Sequence, residues 1–255
     1  MDRYVSFGYD KLQSGQFAQA KELFKLALEK ENSLPLAWMG KALACAGAAD
    51  LDGMALGGDI ESEQDFHAVM EHLAAAESAL TSVDYDNALG SAPQELRAQW
   101  AQKREELLAA CASAKQNALA QLKALAQKYL AAENFSAKRV AQAYLQYAPD
   151  DVEAQWLAFF ADYSVKDDAE LGKMNVTRLN MARDLQNSRI PALSASGEAL
   201  ALFTKRKEAI DAGAYDYAKD VLKDKNFAAV KAVCYAYEKV SSAYSVRILW
   251  LGAFA

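Results

Sequence analysis

Residues 4–32 read YVSFGYDKLQSGQFAQAKELFKLALEKEN, and this stretch decides the fold that the sequence predicts. Apolar and small side chains recur in it at helical spacing, first at Tyr4, Phe7, Gly8 and Leu12, then at Phe17, Ala20, Phe24, Ala27 and Leu28. Each series forms one apolar face of an α-helix. Between them stands Gly15, where a residue without a Cβ atom can turn the chain. The stretch therefore predicts two short helices that fold back against each other.

The residues on these faces also indicate how closely the helices pack. Gly8, Ala20 and Ala27 are small and fall where two helix backbones would need to approach closely. Phe24 is a large side chain on the same face, and we expect it to fill the space between the helices.

The stretch resembles a tetratricopeptide repeat. That family has an aromatic residue, an apolar residue followed by glycine, a second aromatic residue, then alanine and phenylalanine four apart, and a proline. Five residues stand at corresponding positions: Tyr4, Phe7, Gly8, Ala20 and Phe24. Lys11 replaces the second aromatic residue and Asn32 replaces the proline. An ordinary pair of antiparallel helices in another helical fold is the alternative.

A second repeat begins directly after the first. Pro35 lies in the first turn of the next expected helix, Trp38 follows it, and Gly40 takes the place of Gly8. The second helix of this repeat does not follow on schedule. Residues 48–62, AADLDGMALGGDIES, are instead rich in glycine and acidic side chains, which predicts a loop or an insertion.

The composition favours helices along the whole chain. Hydrophobic residues make up 53% of its 255 residues, while glycine occurs 12 times and proline 4 times. So few turn-forming residues favour long helices, and the scarcity of valine and isoleucine argues against an extensive sheet. We expect about a dozen helices and no strand. The fold class is all-α, and the resemblance implies a tetratricopeptide-like α-solenoid, a right-handed stack of antiparallel helix pairs.

The longest expected helix lies around 92–131, because neither glycine nor proline occurs between Gln94 and Glu133. Two helices with a tight bend near Ser113 are the alternative. The other expected segments are a helix over 62–82, a linker over 83–90, degenerate repeat helices from 134 to about 160, and helices over 167–186, 191–211, 213–222 and from 226. We divide the chain into 1–60, 61–133 and 134–255, as parts of one continuous superhelical domain.

Charge and cysteine content exclude several function classes. The net charge is −6, and the longest basic run, Lys205–Lys207, adjoins Glu208, so we expect no binding to nucleic acid. The three cysteines are far apart and form no zinc or redox pair, which favours buried free thiols in a reducing cytosol. The first residues contain no secretory signal pattern. We therefore expect a cytoplasmic location, or the cytoplasmic face of a membrane.

The sequence contains no complete metal-binding or catalytic motif. Asp50, Asp52 and Glu61 match three positions of a calcium-binding loop, but Ala55 occupies the position that needs glycine. His67 and His72 are five residues apart, which does not suit a zinc protease helix. Phosphate-loop, dinucleotide-binding and serine-hydrolase patterns are absent from the sequence. We expect no cofactor, no metal and no enzymatic activity, with an all-helical enzyme of unrecognised site as a minor alternative.

The resemblance implies a function and a set of residues. Tetratricopeptide repeats bind peptides or proteins in a concave groove, so the expected function is a non-enzymatic interaction scaffold with a protein or peptide partner. The residues at the family's groove positions are Val5, Tyr9, Leu12, Gln13 and Lys41. The family's carboxylate clamp needs lysine and asparagine where Val5 and Tyr9 stand, so acidic C-terminal tails are not expected ligands.

The last residues allow a second interpretation. Ser245 to Ala255 reads SVRILWLGAFA and is apolar after Arg247. This run is either a final helix docked in the core or the beginning of a membrane helix in a longer parent protein. In the latter case the chain would be a membrane-tethered accessory or assembly module. Eleven residues are too few to span a bilayer, which takes ~20.

Overall fold

A computed structural model describes residues 2–240 and 242–253 of the chain. Within these ranges the protein is all-α and contains no β-strand, and its 13 helices confirm the prediction of about a dozen. The helices are α1 Arg3–Gln13, α2 Phe17–Lys30, α3 Pro35–Ala46, α4 Glu63–Leu80, α5 Val83–Ser91, α6 Gln94–Ala131, α7 Ser136–Leu145, α8 Val152–Asp162, α9 Met181–Asn187, α10 Ile190–Leu193, α11 Gly197–Lys223, α12 Phe227–Tyr237 and α13 Ser245–Gly252. Short 3₁₀ turns occur at Asp52–Ala55, Asp168–Glu170 and Val176–Arg178.

The chain divides into two compact units between Leu122 and Lys123, a point that lies inside α6. Unit 1 precedes this point and unit 2 follows it. Each has a hydrophobic core of its own. The predicted segments 1–60, 61–133 and 134–255 stay a prediction.

The core of unit 1 is built around Phe24, as the sequence predicts. This side chain is fully buried, and a Cβ atom added to Gly8 would stand 2.5 Å from its ring. On the other side, a Cβ atom added to Gly40 would stand 2.2 Å from the same ring. Ala20 and Ala27 are also fully buried. The aromatic ring of α2 is therefore held between α1 and α3 because both present glycine to it.

The rotation of α1 differs from the predicted face. Val5, Gly8 and Leu12 are its buried residues. The helical spacing predicts Phe7 on the buried face, but Phe7 is 43% exposed, and the guanidinium of Arg3 lies 5.1 Å from the centre of its ring. Phe7 lies at one edge of a broad apolar face, and packing against α2 buries the part of that face that contains Val5, Gly8 and Leu12.

Residues 83–90 form most of helix α5 and are not the linker that the sequence predicts. The hydroxyl of Ser82 caps this helix by accepting a hydrogen bond from the backbone N–H of Tyr85. Tyr85 is fully buried, and its hydroxyl donates a 3.0 Å hydrogen bond to the carbonyl oxygen of Trp100 in α6. These tertiary contacts stabilise a segment whose Asp, Asn and Gly content is typical of a turn.

A single helix, α6, spans Gln94–Ala131, which confirms the long-helix prediction and excludes the break near Ser113. The residues that it buries in the part belonging to unit 1 are Trp100, Leu107, Cys111, Ala118 and Leu122. Cys111 is therefore the buried free thiol that the sequence predicts, whereas Cys45 is exposed.

Unit 2 packs around Trp156 of α8, which is 1% exposed. Its indole lies edge-on to Phe159, with 5.6 Å between ring centres, and the guanidinium of Arg206 lies 4.8 Å from its centre. Helix α13 contributes Ile248 and Leu251 to the core, so residues 245–252 form a docked helix. Phe254 and Ala255, at the end of the apolar run, lie outside the described residues.

Residues 167–186 depart from the continuous helix that the sequence predicts. The carboxylate of Asp167 and the side-chain oxygen of Asn175 each accept hydrogen bonds from two following backbone N–H groups. Such local bonds compete with helix formation and produce the two 3₁₀ turns. The guanidinium of Arg178 then donates to the carbonyl oxygens of Tyr163, Glu170 and Lys173, among others, and α9 begins only at Met181.

Helix α11 runs without a break through Gly213, although the sequence predicts separate helices over 191–211 and 213–222. A Cβ atom at Gly213 would lie 2.3 Å from the carbonyl oxygen of Gly172. The glycine is therefore needed for a close backbone approach and not for a turn. Among the described residues, no helix combines the length and the apolar character needed to cross a lipid bilayer.

Candidate ligand-binding groove

Unit 1 contains an open groove of ≈ 590 Å³, here called the Tyr9 groove. Its walls come from α1, α3, the loop that follows α3, and α6. The lining residues are Tyr9, Gln13, Leu36, Met39, Leu43, Ala49, Asp50, Leu51, Asp52, Gln99, Trp100 and Lys103. Apolar side chains predominate among them, and the charged groups come from the loop and from α6.

The wall formed by α1 is fixed by Tyr9. Its hydroxyl donates a 3.1 Å hydrogen bond to the carbonyl oxygen of Leu36, and its ring lies edge-on to Phe24 with 5.2 Å between centres. Burial raises the pKa of the Tyr9 phenol to about 12, so the group is neutral at physiological pH. Phe24, the core residue between α1 and α3, thus also positions the α1 wall of the groove.

The loop wall is held at both of its ends. Gly47 ends α3 with φ of +68°, a conformation that favours glycine. The amide of Gln13 donates to the carbonyl oxygen of Ala49 at 3.4 Å, and the carboxylate of Asp50 accepts the N–H of Gly53 at 2.8 Å. Met54 is fully buried and anchors the turn beyond.

The α6 wall carries an indole and an ammonium group. Trp100 is 8% exposed and forms part of the apolar floor. Nζ of Lys103 lies 2.5 Å from a carboxylate oxygen of Asp52, which joins the loop to the helix. The hydrogen bond that Lys103 donates to Asp52 and the negative charges of Asp52, Glu106 and Asp50 raise the pKa of Lys103. Asp50 and Asp52 are the residues that match two positions of a calcium-binding loop in the sequence. In the structure their partners are the N–H of Gly53 and the ammonium group of Lys103.

The structure brings together two of the five residues predicted for the groove. Tyr9 and Gln13 line it. Val5 and Leu12 are 2% and 0% exposed and belong to the core of unit 1, because the face of α1 that contains them packs against α2. This corrects their placement on the groove surface.

Lys41, the fifth predicted residue, lies away from the groove. Its ammonium group pairs with the carboxylate of Asp84 at 3.0 Å and lies 5.1 Å from the centre of the Trp38 ring. The residues of α3 that line the groove are Leu36, Met39 and Leu43, and Lys41 is not among them.

Most of the groove was not found by sequence reasoning. Leu36 was not singled out. Trp100 and Lys103 lie 54 and 57 residues beyond the end of α3, and the residue spacing of their helix does not indicate which helices it packs against. The one usable signal was the glycine-rich loop after α3, which marked an interruption of the repeat.

The lining residues offer a defined set of chemical groups to a ligand. The chemical groups are an apolar floor, two amides, a neutral phenol and an ion pair, with no nucleophile beside a base. In residues 2–240 and 242–253, no group of three His, Cys, Asp or Glu side chains is arranged to hold a metal ion. A second cavity in unit 1, of ≈ 500 Å³, lies between residues 57–59 and α6 and is lined mainly by small and polar residues.

Comparisons of this chain with protein-family models, with curated proteins and with solved structures gave no match. The tetratricopeptide resemblance therefore stays a prediction, and a function has to be argued from the groove itself.

Proposed function

We propose that this chain is a non-enzymatic scaffold that binds a peptide or a protein segment in the Tyr9 groove. The observation that carries the proposal is the groove of ≈ 590 Å³, with an open mouth and an apolar floor. Leu36, at 37% exposure, offers part of its side chain to the solvent there. Burying such a surface against apolar side chains of a partner is favourable, at roughly 25 cal/mol per Å².

The polar groups of the groove support a peptide ligand in preference to a small metabolite. The Tyr9 phenol is already engaged with the carbonyl oxygen of Leu36, and Lys103 is engaged with Asp52. Few polar groups are therefore left to orient a small ligand, which usually needs several that converge. The exposed amide of Gln99 and the amide oxygen of Gln13, whose N–H donates to Ala49, suit the repeating N–H and C=O groups of a peptide.

We also propose that the three N-terminal helices are related to a tetratricopeptide-like stack of antiparallel pairs. The support is the equivalence of Gly8 and Gly40, each of which would place a Cβ atom against the ring of Phe24. The same small residue is used for the same purpose on α1 and α3, as in a repeat whose neighbouring units share one core. In this proposal the loop after α3 replaces the second helix of the second repeat.

A peptide-display selection against the purified chain tests the proposed function. Selected peptides would be measured by fluorescence anisotropy on the wild type, on Leu36→Ser and on Leu26→Ser. Leu26 is the matched control because it is 42% exposed on α2 and does not line the groove. We expect Leu36→Ser to weaken binding and Leu26→Ser to leave it unchanged. Equal affinities for all three proteins would refute the groove as the binding site.

A further inference from the structure

Acidic residues are distributed unevenly along the chain. Unit 1 contains 10 Lys and Arg and 18 Asp and Glu, a net charge of −8, whereas the remainder from Lys123 contains 18 and 16, a net charge of +2. The whole-chain value of −6 therefore hides a strongly acidic unit beside a nearly neutral one. The unit that contains the Tyr9 groove is the acidic one.

The uneven distribution of charge is greatest in the stretch that contains the loop wall of the Tyr9 groove. No Lys or Arg occurs between Lys41 and Arg97, while eleven acidic residues do. This stretch includes the loop wall of the groove with Asp50 and Asp52. A stretch of this length without a cation leaves its carboxylates to be neutralised by other segments or by a ligand.

At the groove the local balance is also negative. Lys103 is the single cation among the described lining residues, and the charges of Asp50, Asp52 and Glu106 all act on it. Its ammonium group is bound to Asp52. Asp50 is exposed and its hydrogen bond comes from a neutral backbone N–H, that of Gly53. One full negative charge at Asp50 thus adjoins the apolar floor.

We propose that the ligand of the Tyr9 groove is a cationic amphipathic segment, whose apolar side chains occupy the floor while a lysine or arginine pairs with Asp50. This inference rests on the proposed peptide-binding function and names the chemistry of the peptide. The apolar floor supplies the area that is buried, and the carboxylates at the rim select the sign of the flanking charge. An acidic segment with the same apolar residues would meet repulsion from the Asp50 carboxylate.

The test uses three labelled 12-residue peptides with leucine at positions 2, 5, 6 and 9 and with lysine, glutamine or glutamate at all other positions. Binding to the full chain would be followed by fluorescence anisotropy at about 150 mM salt. We expect the lysine peptide to bind at least about tenfold more tightly than the glutamate peptide, because each rim contact changes sign between them. The glutamine peptide should lie between the two.

Two variants separate a groove contact from general attraction to an acidic protein. Asp50→Asn keeps an oxygen that can accept the N–H of Gly53, so the loop is retained while the charge is lost. We expect it to weaken the lysine peptide by about two- to fivefold, as for a partly exposed ion pair. Glu71→Gln removes the same charge from the exposed face of α4, within the same cation-free stretch and outside the groove, and should change nothing.

The possible outcomes are distinguishable. If the glutamine peptide binds as tightly as the lysine peptide and Leu36→Ser weakens both, the groove binds peptides but the cationic preference is wrong. If Asp50→Asn and Glu71→Gln weaken the lysine peptide equally, the attraction is general and the pairing with Asp50 is wrong. If none of the three peptides binds, the cationic preference is again refuted. In that case the proposed function is tested separately, with the peptides selected by display.

Discussion

The ring of Phe24 lies directly over the α-carbon of Gly40, at a point where a Cβ atom would stand 2.2 Å from Cζ of the ring. Real Cβ atoms do not approach so closely, so an alanine at this position has to move the ring or the helix. Because the same ring packs against Tyr9 in a T-shaped arrangement, this relationship connects the core of unit 1 to the wall of its groove.

Gly40→Ala should therefore destabilise unit 1. Overpacking a well-filled core costs about 1–3 kcal/mol, and here the displaced group is the ring of a fully buried phenylalanine. Urea denaturation followed by circular dichroism measures the loss. Gly90→Ala is the control, since a Cβ atom at Gly90 meets nothing within 4 Å and alanine is the better helix former by about 1 kcal/mol. A Gly40→Ala variant as stable as the wild type would show that the ring does not fill this space.

Gly213→Ala should have a larger effect in unit 2. The atom that obstructs a new Cβ here is the carbonyl oxygen of Gly172, and backbone gives way less easily than a side chain. We expect a loss of about 3 kcal/mol or more, at the upper end of overpacking effects. Gly172→Ala is the matched control, because its Cβ atom would lie an ordinary 3.5 Å from the carbonyl oxygen of Ala209. Thermal melting curves of both variants decide the point, and equal melting temperatures would contradict it.

Gln121→Ala should release the segment that joins the 3₁₀ turn to α4. The Gln121 amide accepts the N–H of Ile60 at 2.9 Å and donates to the carbonyl oxygen of Gly58 at 3.4 Å. Each such bond contributes about 0.5–1.5 kcal/mol net, so exchange of the Ile60 amide hydrogen should become faster while global stability changes little. Gln102→Ala on the same helix is the control, since that exposed amide donates to Glu106 one turn along α6. Hydrogen exchange with site resolution provides the measurement, and unchanged protection at Ile60 would contradict the proposed restraint.

Asp151→Asn should make the stability of unit 2 less dependent on pH in the acidic range. Burial alone raises the pKa of Asp151, but hydrogen bonds from Tyr144, from the N–H of Ala154 and from Lys123 outweigh it and lower the pKa below the usual 3.8. As the pH falls below about 4, the unfolded chain takes up the proton first, so this contribution is present above that pH and lost below it.

The measurement for this prediction is chemical denaturation at pH 7 and at pH 3. Relative to the wild type, Asp151→Asn should cost about 1–3 kcal/mol at pH 7, and the difference should shrink at pH 3. Asp150→Asn is the neighbouring control, because its ion pair with Arg189 is largely exposed and such pairs contribute at most about 1 kcal/mol. If Asp151→Asn lost the same amount of stability relative to the wild type at both pH values, the role of the carboxylate charge would be refuted.

The sequence was a good guide wherever local pattern controls the result. The Phe24 core follows from apolar spacing together with small residues, and the length of α6 follows from the absence of glycine and proline between Gln94 and Glu133. Both features belong to single helices or to helices joined by a short turn. They require no knowledge of distant segments.

Prediction was less successful where tertiary packing decides between local alternatives. The short helix α5 depends on the burial of Tyr85. A local effect was missed as well, because the 3₁₀ turn at Asp168–Glu170 depends on hydrogen bonds from backbone N–H groups to the nearby side chain of Asp167. On α1 the rotation that buries Val5 and exposes Phe7 could not be read from the sequence, because the apolar face is broader than the part that packs in the core. That rotation is also why two predicted groove residues are core residues.

The cation-free stretch of unit 1 has a practical consequence for work on this protein. Trypsin cleaves after lysine and arginine, so even the unfolded chain yields residues 42–97 as one fragment, which contains the loop wall of the groove. Amine-reactive cross-linkers and enzymes that modify lysine have no target anywhere within 42–96. Footprinting of the groove loop therefore has to use carboxylate chemistry or a protease such as chymotrypsin, and lysine acetylation or ubiquitination cannot regulate that loop directly.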